Sequence, residues 1–308
     1  MVLEKIIMKA DSSILPVIAV LGAVFLWGGS FAAAKTALSS LDPWTVVWFR
    51  MVLGVIVGLP FLKKFFRFHY CKKDLKYLVL MVLFQPCLYF LFEAYALTYT
   101  TSAQAGVIAA SVPLLVSVGA WLLFSEKITF KTVFGLLISV AGVSVLTMSG
   151  SSSANAANPL LGNMLEICAM ICTAGYMLLM KKMSSSYSPF ALTFIQTLGG
   201  AVFFIPGAFR MNWSMHLSSS LIFSLLFLGC FVTLGAFGLY NYAISKIKAS
   251  EASAYINLVP VVAVCLGWIF LGEALNPVQS VASVAVLFGV WISQGSGMRK
   301  KKLAVEVG

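Results

Sequence analysis

Acidic residues are scarce in this chain: Asp and Glu together fill 10 of 308 positions, and histidine fills two. Chemistry that needs converging carboxylates, imidazoles or metal ligands has little to draw on. Charged residues of both signs reach 10%, while 60% of the chain is hydrophobic and the mean hydropathy is +0.97. Soluble domains carry about 25% charge, so a soluble globular protein is excluded and an integral membrane protein is indicated. No P-loop pattern is present, nor a polar stretch long enough to hold one, so ATP is not the expected energy source. The six cysteines, Cys71, Cys87, Cys168, Cys172, Cys230 and Cys265, fall mostly inside apolar runs, and none is placed for a disulfide. Cys168 and Cys172 share a helix face, yet His69 and His216 lie in distant loops. Neither a metal site nor a cofactor is expected.

What the chain does have is long apolar runs, near 16–37, 44–62, 77–97, 102–123, 130–148, 160–180, 190–209, 220–243, 251–271 and 277–295. Each approaches the roughly 20 residues that a helix needs to cross a bilayer. They are continuously apolar rather than alternating, which favours helices over a barrel. The expected fold class is all-α integral membrane, with ten transmembrane helices. With the N-terminus inside, every one of the 21 basic residues except Lys35, Arg50 and Arg210 falls in a cytoplasmic segment. The net charge of +11 is therefore read as a topology signal and not as a nucleic-acid surface, with both termini cytoplasmic and lipid around the spans. The first run is read as a retained span rather than a cleaved signal peptide, because it has a counterpart later in the chain.

That counterpart belongs to an internal repeat. EAYALTYTTSAQA (Glu93–Ala105) and YNYAISKIKASEA (Tyr240–Ala252) align Tyr95 with Tyr242, Ala96 with Ala243 and Ala105 with Ala252, while Tyr240 stands where the first copy has Glu93. The same offset of 147 pairs Pro113 with Pro260, Trp121 with Trp268, Glu126 with Glu273 and Gly142 with Gly289. An offset of 146 pairs Gly29 with Gly175, Lys35 with Lys181, Gly54 with Gly200 and Pro60 with Pro206. Five spans per half is an odd number, so the second half enters the membrane from the opposite face, as two inverted five-helix repeats. The organisation is a first repeat over 1–148, an external linker over 149–159, an inverted second repeat over 160–295 and a basic cytoplasmic tail over 296–308. Secondary transporters use such inverted repeats around a midplane site.

WGGSFAAAK (Trp27–Lys35), DPWTVVWFR (Asp42–Arg50), YALTYTTSAQA, VPLLV and SEKIT (Ser125–Thr129) resemble the EamA-like family of the drug/metabolite transporter superfamily. The resemblance implies ten helices in two inverted repeats, a bacterial inner-membrane location and efflux of small metabolites. The expected function is outward movement of a small metabolite, an amino acid or related compound, by alternating access. Import of a small metabolite or nucleoside-like solute is the alternative. An integral-membrane lipid-modifying enzyme is a second alternative, but the converging His, Asp or Cys set it needs is not found, so no enzyme is expected. A monomer and a homodimer both fit.

Ionisable residues inside spans each cost about 2.5–3.5 kcal/mol at a helix centre unless paired or wetted. At about 1.5 Å per residue, Lys35, Arg50, Glu93 and Glu166 all fall within roughly 10 Å of the outer boundary and are expected to cluster. For Glu93 two readings stand side by side. It pairs with Arg50 and fixes packing, or it lines the cavity on one face with Gln85 and Tyr89 and meets a cationic group or a coupling proton. Glu166, whose repeat counterpart is Val20, is a further candidate. Trp27, Tyr89, Tyr176, Asn241, Tyr242, Tyr255 and Asn257 are candidate cavity walls, although each aromatic is equally suited to packing. Pro113 and Pro260 read as matched hinges or as ordinary kinks within spans four and nine. Lys35 with Glu273 at the outer face, and Lys181 with Glu126 at the inner face, form a candidate pair of gates, or else simple interfacial charges. As a gate, a double charge reversal at Lys35 and Glu273 restores what either single reversal loses.

Overall fold

The computed structural model describes the backbone of residues 2–61, 72–124, 129–150, 153, 156–183, 186–213, 217–246, 255–256 and 258–306. Glu126 and Asn257 lie outside the described residues, as do the side chains of Lys181 and Asn241. Among the described residues the regular structure is helical, apart from one isolated bridge between Ser153 and Ala156. Among the described residues seven helices are long and apolar enough to cross a membrane: Ile14–Leu38, Pro43–Phe61, Lys72–Tyr99, Ser102–Gly119, Phe130–Met148, Pro159–Met180 and Ser219–Tyr240. Three shorter apolar helices, Phe190–Phe203, Val259–Leu271 and Pro277–Ile292, occupy the seventh, ninth and tenth expected runs. Two of them are short for a local reason. The seventh stops at a turn over Phe204 and Ile205 before Pro206, and the ninth starts after a turn at Leu258.

In chain order the helices are α1 (Val2–Leu38), α2 (Pro43–Gly58), α3 (Leu75–Val82), α4 (Tyr89–Tyr99), α5 (Ser102–Ala109), α6 (Val112–Phe124) and α7 (Phe130–Met148). They continue as α8 (Pro159–Met183), α9 (Pro189–Phe203), α10 (Pro206–Arg210), α11 (Ser219–Leu226), α12 (Phe237–Lys246), α13 (Val259–Leu271) and α14 (Pro277–Glu306). Starts are marked by polar caps. Asp42 accepts from the Trp44 amide with Pro43 in the first turn, and Thr101, Thr129 and Ser218 cap α5, α7 and α11 in the same way. The tail expected from residue 296 begins inside α14, which runs to Glu306 because no proline follows Pro277 to interrupt it.

Four irregularities break the long spans. A π segment, Leu83–Leu88, joins α3 to α4, and another, Phe227–Ala236, joins α11 to α12. The sequence expectation of kinks at Pro113 and Pro260 is corrected: each proline sits in the first turn of a new helix, after a break at Ala110–Ser111 or at Leu258. At that position the missing proline N–H costs nothing, because the first donors of a helix have no partner within it.

The two halves touch through equivalent positions. A Cβ on Gly142 would stand 2.9 Å from the Ala282 carbonyl oxygen and 3.0 Å from the Val286 nitrogen; one on Gly289 would stand 2.5 Å from the Gly135 oxygen and 2.8 Å from the Ser139 nitrogen. At the offset of 147, Gly142 pairs with Gly289, Gly135 with Ala282 and Ser139 with Val286, so the second contact is the first with the copies exchanged. Nearer the centre, Gly54 faces Thr197 and Thr233 while Gly200 faces their counterparts Met51 and Pro86. Reciprocal contacts of this kind are what a two-fold relation produces, and glycine permits the close helix approach they need. The outward surface is apolar: Phe209, Phe223, Trp268, Phe270 and Trp291 are all exposed.

Candidate transport site

α9 places Thr193, Gln196 and Thr197 at i, i+3 and i+4, so three polar side chains share one buried face of an otherwise apolar helix. Opposite them, the first π segment departs from helical geometry at Gln85 (φ −146°, ψ 117°), just before Pro86. That departure takes the Gln85 carbonyl out of the helical ladder, and the Gln196 side-chain amide donates to it at 2.8 Å. The Gln85 side-chain oxygen is buried and accepts no hydrogen bond from the described residues. In the second π segment Thr233 donates to the Leu228 carbonyl, five residues back, at 2.8 Å. These groups enclose a cavity of about 20 Å³ lined by Met51, Gln85, Pro86, Phe90, Thr193, Gln196, Thr197, Thr233 and Phe237. That is room for about one water molecule.

Six of the nine lining residues form three repeat pairs. Met51 corresponds to Thr197 at an offset of 146, and Pro86 to Thr233 and Phe90 to Phe237 at 147. The cavity therefore lies where the two copies meet.

Beside it lies a buried charged cluster. The Arg50 guanidinium is 3.6 Å from the Glu93 carboxylate, donates through Nε to Thr233 at 3.2 Å and covers the Phe90 ring at 4.0 Å. Tyr89 donates to the other Glu93 oxygen. Glu166 is fully buried on α8, which packs against α4, the helix of Glu93, and neither of its oxygens has a hydrogen-bond partner among the described residues. Arg50 is thus the link between cluster and cavity, since Thr233 and Phe90 belong to both.

Lys35 stands apart from this cluster, which corrects the expectation of a single group of four. Its ammonium donates to the Leu97 carbonyl at 2.5 Å and the Thr100 carbonyl at 2.6 Å, the free acceptors at the end of α4. Glu273, buried after α13, accepts from the Ser102 amide at 3.1 Å, the Ser102 hydroxyl at 2.6 Å and the Ala103 amide at 3.1 Å, the free donors at the start of α5. The two charges attract across this turn, but each serves backbone groups first. Asn163 extends the seal. It accepts from Thr100 at 2.7 Å and donates to Gln104 at 2.9 Å and Thr147 at 3.3 Å. The reading of Lys35 and Glu273 as interfacial charges in water is overturned, because Glu273 is 4% exposed.

The single aromatic cavity expected from the sequence is not formed by the described residues. Of its candidates only Gln85 lines the cavity. Trp27 contacts Phe237 and Tyr240, with ring centroids 5.4 and 5.1 Å apart. Tyr176 is buried against Leu78 and Met81. Tyr242 and Tyr255 pack on Ala19, Val20 and Ala243. Tyr89 and Glu93 belong to the charged cluster. Thr193, Gln196, Thr197 and Thr233 were not singled out from sequence, although the polar triplet on α9 and the correspondence of Gln196 with Arg50 are both legible there.

A family model described as the EamA-like transporter family matches residues 14–148 and again 160–294. "Uncharacterized transporter YetK" of Bacillus subtilis (strain 168) is 28% identical, over 81% of this chain and 74% of its own. "Uncharacterized transporter YcxC" of the same organism is 26% identical over 90% of this chain and 91% of its own. An "Uncharacterized transporter" of Archaeoglobus fulgidus is 28% identical over 87% and 95%. A solved crystal structure superposes with a TM-score of 0.61 at 16% identity, covering 94% of this chain and 98% of the other, which shows a shared fold. The apolar helices, the paired halves and both family matches together show that this chain is a multi-pass membrane protein belonging to the EamA-like transporter family.

Proposed function

We propose that the protein is a secondary transporter that moves a small metabolite, an amino acid or related compound, by alternating access. The observation that carries this is the cavity assembled from repeat pairs, with Met51, Pro86 and Phe90 from one half facing Thr197, Thr233 and Phe237 from the other. A site shared in this way is exposed to either side by rocking one half against the other. Amides and hydroxyls suit the polar end of such a solute, the two phenylalanines its apolar body, and Arg50 behind Thr233 a carboxylate. At about 20 Å³ the cavity admits a solute only when spans two, three, seven and eight separate. All ten apolar helices are taken to cross the bilayer as two inverted five-helix repeats, with lipid covering the exposed aromatics. The reciprocal glycine contacts support that arrangement.

Flux into and out of liposomes loaded with labelled amino acids tests this reading. Gln196→Ala is expected to lower flux at least tenfold, with a loss of stability of only about 1–3 kcal/mol from leaving the Gln85 carbonyl without its donor. Outward movement is the proposed direction; uptake alone in right-side-out vesicles would replace export by import, and chemical change of the solute would replace both by an enzyme.

The proposed location is the bacterial inner membrane with both termini cytoplasmic, and residues 149–159 outside. Reporter fusions at the C-terminus and within 149–159 are expected to report opposite sides. An external C-terminus would overturn both this topology and the inverted repeat.

A further inference from the structure

Glu166 has no solvent exposure, and neither of its carboxyl oxygens has a hydrogen-bond partner among the described residues. A carboxylate in such a place needs at least one donor or counter-charge, and its surroundings supply neither in full. α8 packs against α3, α4, α5, α6, α7 and the first π segment. α4 carries Glu93 and Tyr89, with Tyr95 and Tyr99 nearer its end, and Arg50 of α2 is already paired with Glu93. The π segment adds only the Cys87 thiol, and α5 and α6 carry no ionisable side chain. Lys76 and Tyr77 of α3 are remote: Tyr77 meets Lys182, which at about 1.5 Å per residue lies roughly 24 Å along α8 from Glu166. Lys131 is at the start of α7, while the other end, at Thr147, meets Asn163 of α8.

The charge count then decides between two forms. With a proton on Glu166, one guanidinium faces one carboxylate and the cluster is neutral. Without it, two carboxylates share one guanidinium in an apolar interior, and the second has no donor. Isolated buried charges are costly enough that such groups neutralise instead, and unpaired carboxyls within spans mark proton relays.

We propose that Glu166 is the proton-binding site of this transporter, holding a proton while the cavity is closed and exchanging it with water when the spans separate. This rests on the transporter reading above. Arg50 couples the two sites. A solute carboxylate in the cavity that takes the guanidinium from Glu93 leaves Glu93 uncompensated, so occupancy of the cavity and of the carboxyl pair depends on one cation.

The test is infrared spectroscopy of the purified protein at neutral pH in H₂O and D₂O, reading the carbonyl stretch of a protonated carboxyl. Wild type is expected to show this band and Glu166→Gln to lose it, with melting temperature as the check on folding. No band in wild type, or a band of full amplitude in Glu166→Gln, would overturn the proposal. If the Gln variant does not accumulate, Glu166→Asp is expected to shift the band, and an unshifted band overturns the assignment equally. Neither reading requires flux, so the proton site and the transport reading stand or fall separately.

Discussion

Glu93→Gln is expected to destabilise the protein by about 3–5 kcal/mol, the usual cost of removing one partner from a buried ion pair, and Arg50→Gln in the same chain is expected to restore most of that loss. The reason is the position of Arg50. It is 5% exposed, and besides Glu93 its described contacts are a neutral hydroxyl, Thr233, and the face of Phe90. Neither compensates a full positive charge in an apolar interior. Gln at position 93 keeps the size and a hydrogen bond from Tyr89 but leaves the guanidinium unpaired. Removing both charges leaves two amides that satisfy each other or Thr233, so stability returns. Flux is expected to stay low in the double variant, because no cation then links the cavity to the carboxyl pair. Melting temperature and liposome flux of the two single variants and the double check this together. A Glu93→Gln protein that melts with wild type would mean the pair is not structural, and the other sequence reading of Glu93, as a group that serves only solute or proton, would replace it.

Exchanging the charges of Lys35 and Glu273 is expected not to rescue the single reversals, and to be more damaging than either of them. From sequence, a Lys and a Glu at one face read as a gate in which the two signs can be swapped. Here Lys35 satisfies two carbonyls at the end of α4, and Glu273 satisfies two amides and a hydroxyl at the start of α5. Backbone groups do not change sign with the side chains. A carboxylate at position 35 would face carbonyl oxygens, and an ammonium at 273 would face N–H donors. Hydrogen bonds to charged groups contribute about 1.5–3 kcal/mol each, so Glu273→Gln alone is expected to cost about 3 kcal/mol or more, since an amide offers one acceptor oxygen instead of two. Melting temperatures of Lys35→Glu, Glu273→Lys and the double reversal decide the matter. Recovery of the double variant toward wild type would show that the two charges serve each other rather than the turn between them.

The partners of the polar residues separate what was legible from what was not. Pairing of Arg50 with Glu93 was one of two readings of Glu93, resting on the few charges in the spans and their similar depth. Lys35 satisfied the same depth criterion, yet it went to the Leu97 and Thr100 carbonyls. Depth along a helix follows from residue number, whereas direction around the bundle depends on how neighbouring helices pack. The described aromatic candidates do not line the small cavity for the same reason. Trp27, Tyr242 and Tyr255 are at plausible depths but turn toward α1 and α12 contacts rather than the cavity. The cavity walls were hidden in another way, since Thr193, Gln196 and Thr197 are uncharged and draw no attention until Gln85, loosened beside Pro86, is brought opposite them.

From sequence alone came the membrane class, the run of apolar helices, the pairing of two halves and the family. All of these rest on properties that each segment carries by itself or shares with its copy: hydropathy over about 20 residues, and self-similarity at a fixed offset. The tertiary structure decided which polar group answers which. Inside an apolar bundle nearly all buried backbone donors and acceptors take a partner within reach. The backbone groups released at the ends of α4 and α5, and at Gln85, come within reach of Lys35, Glu273 and Gln196 only once the helices have packed.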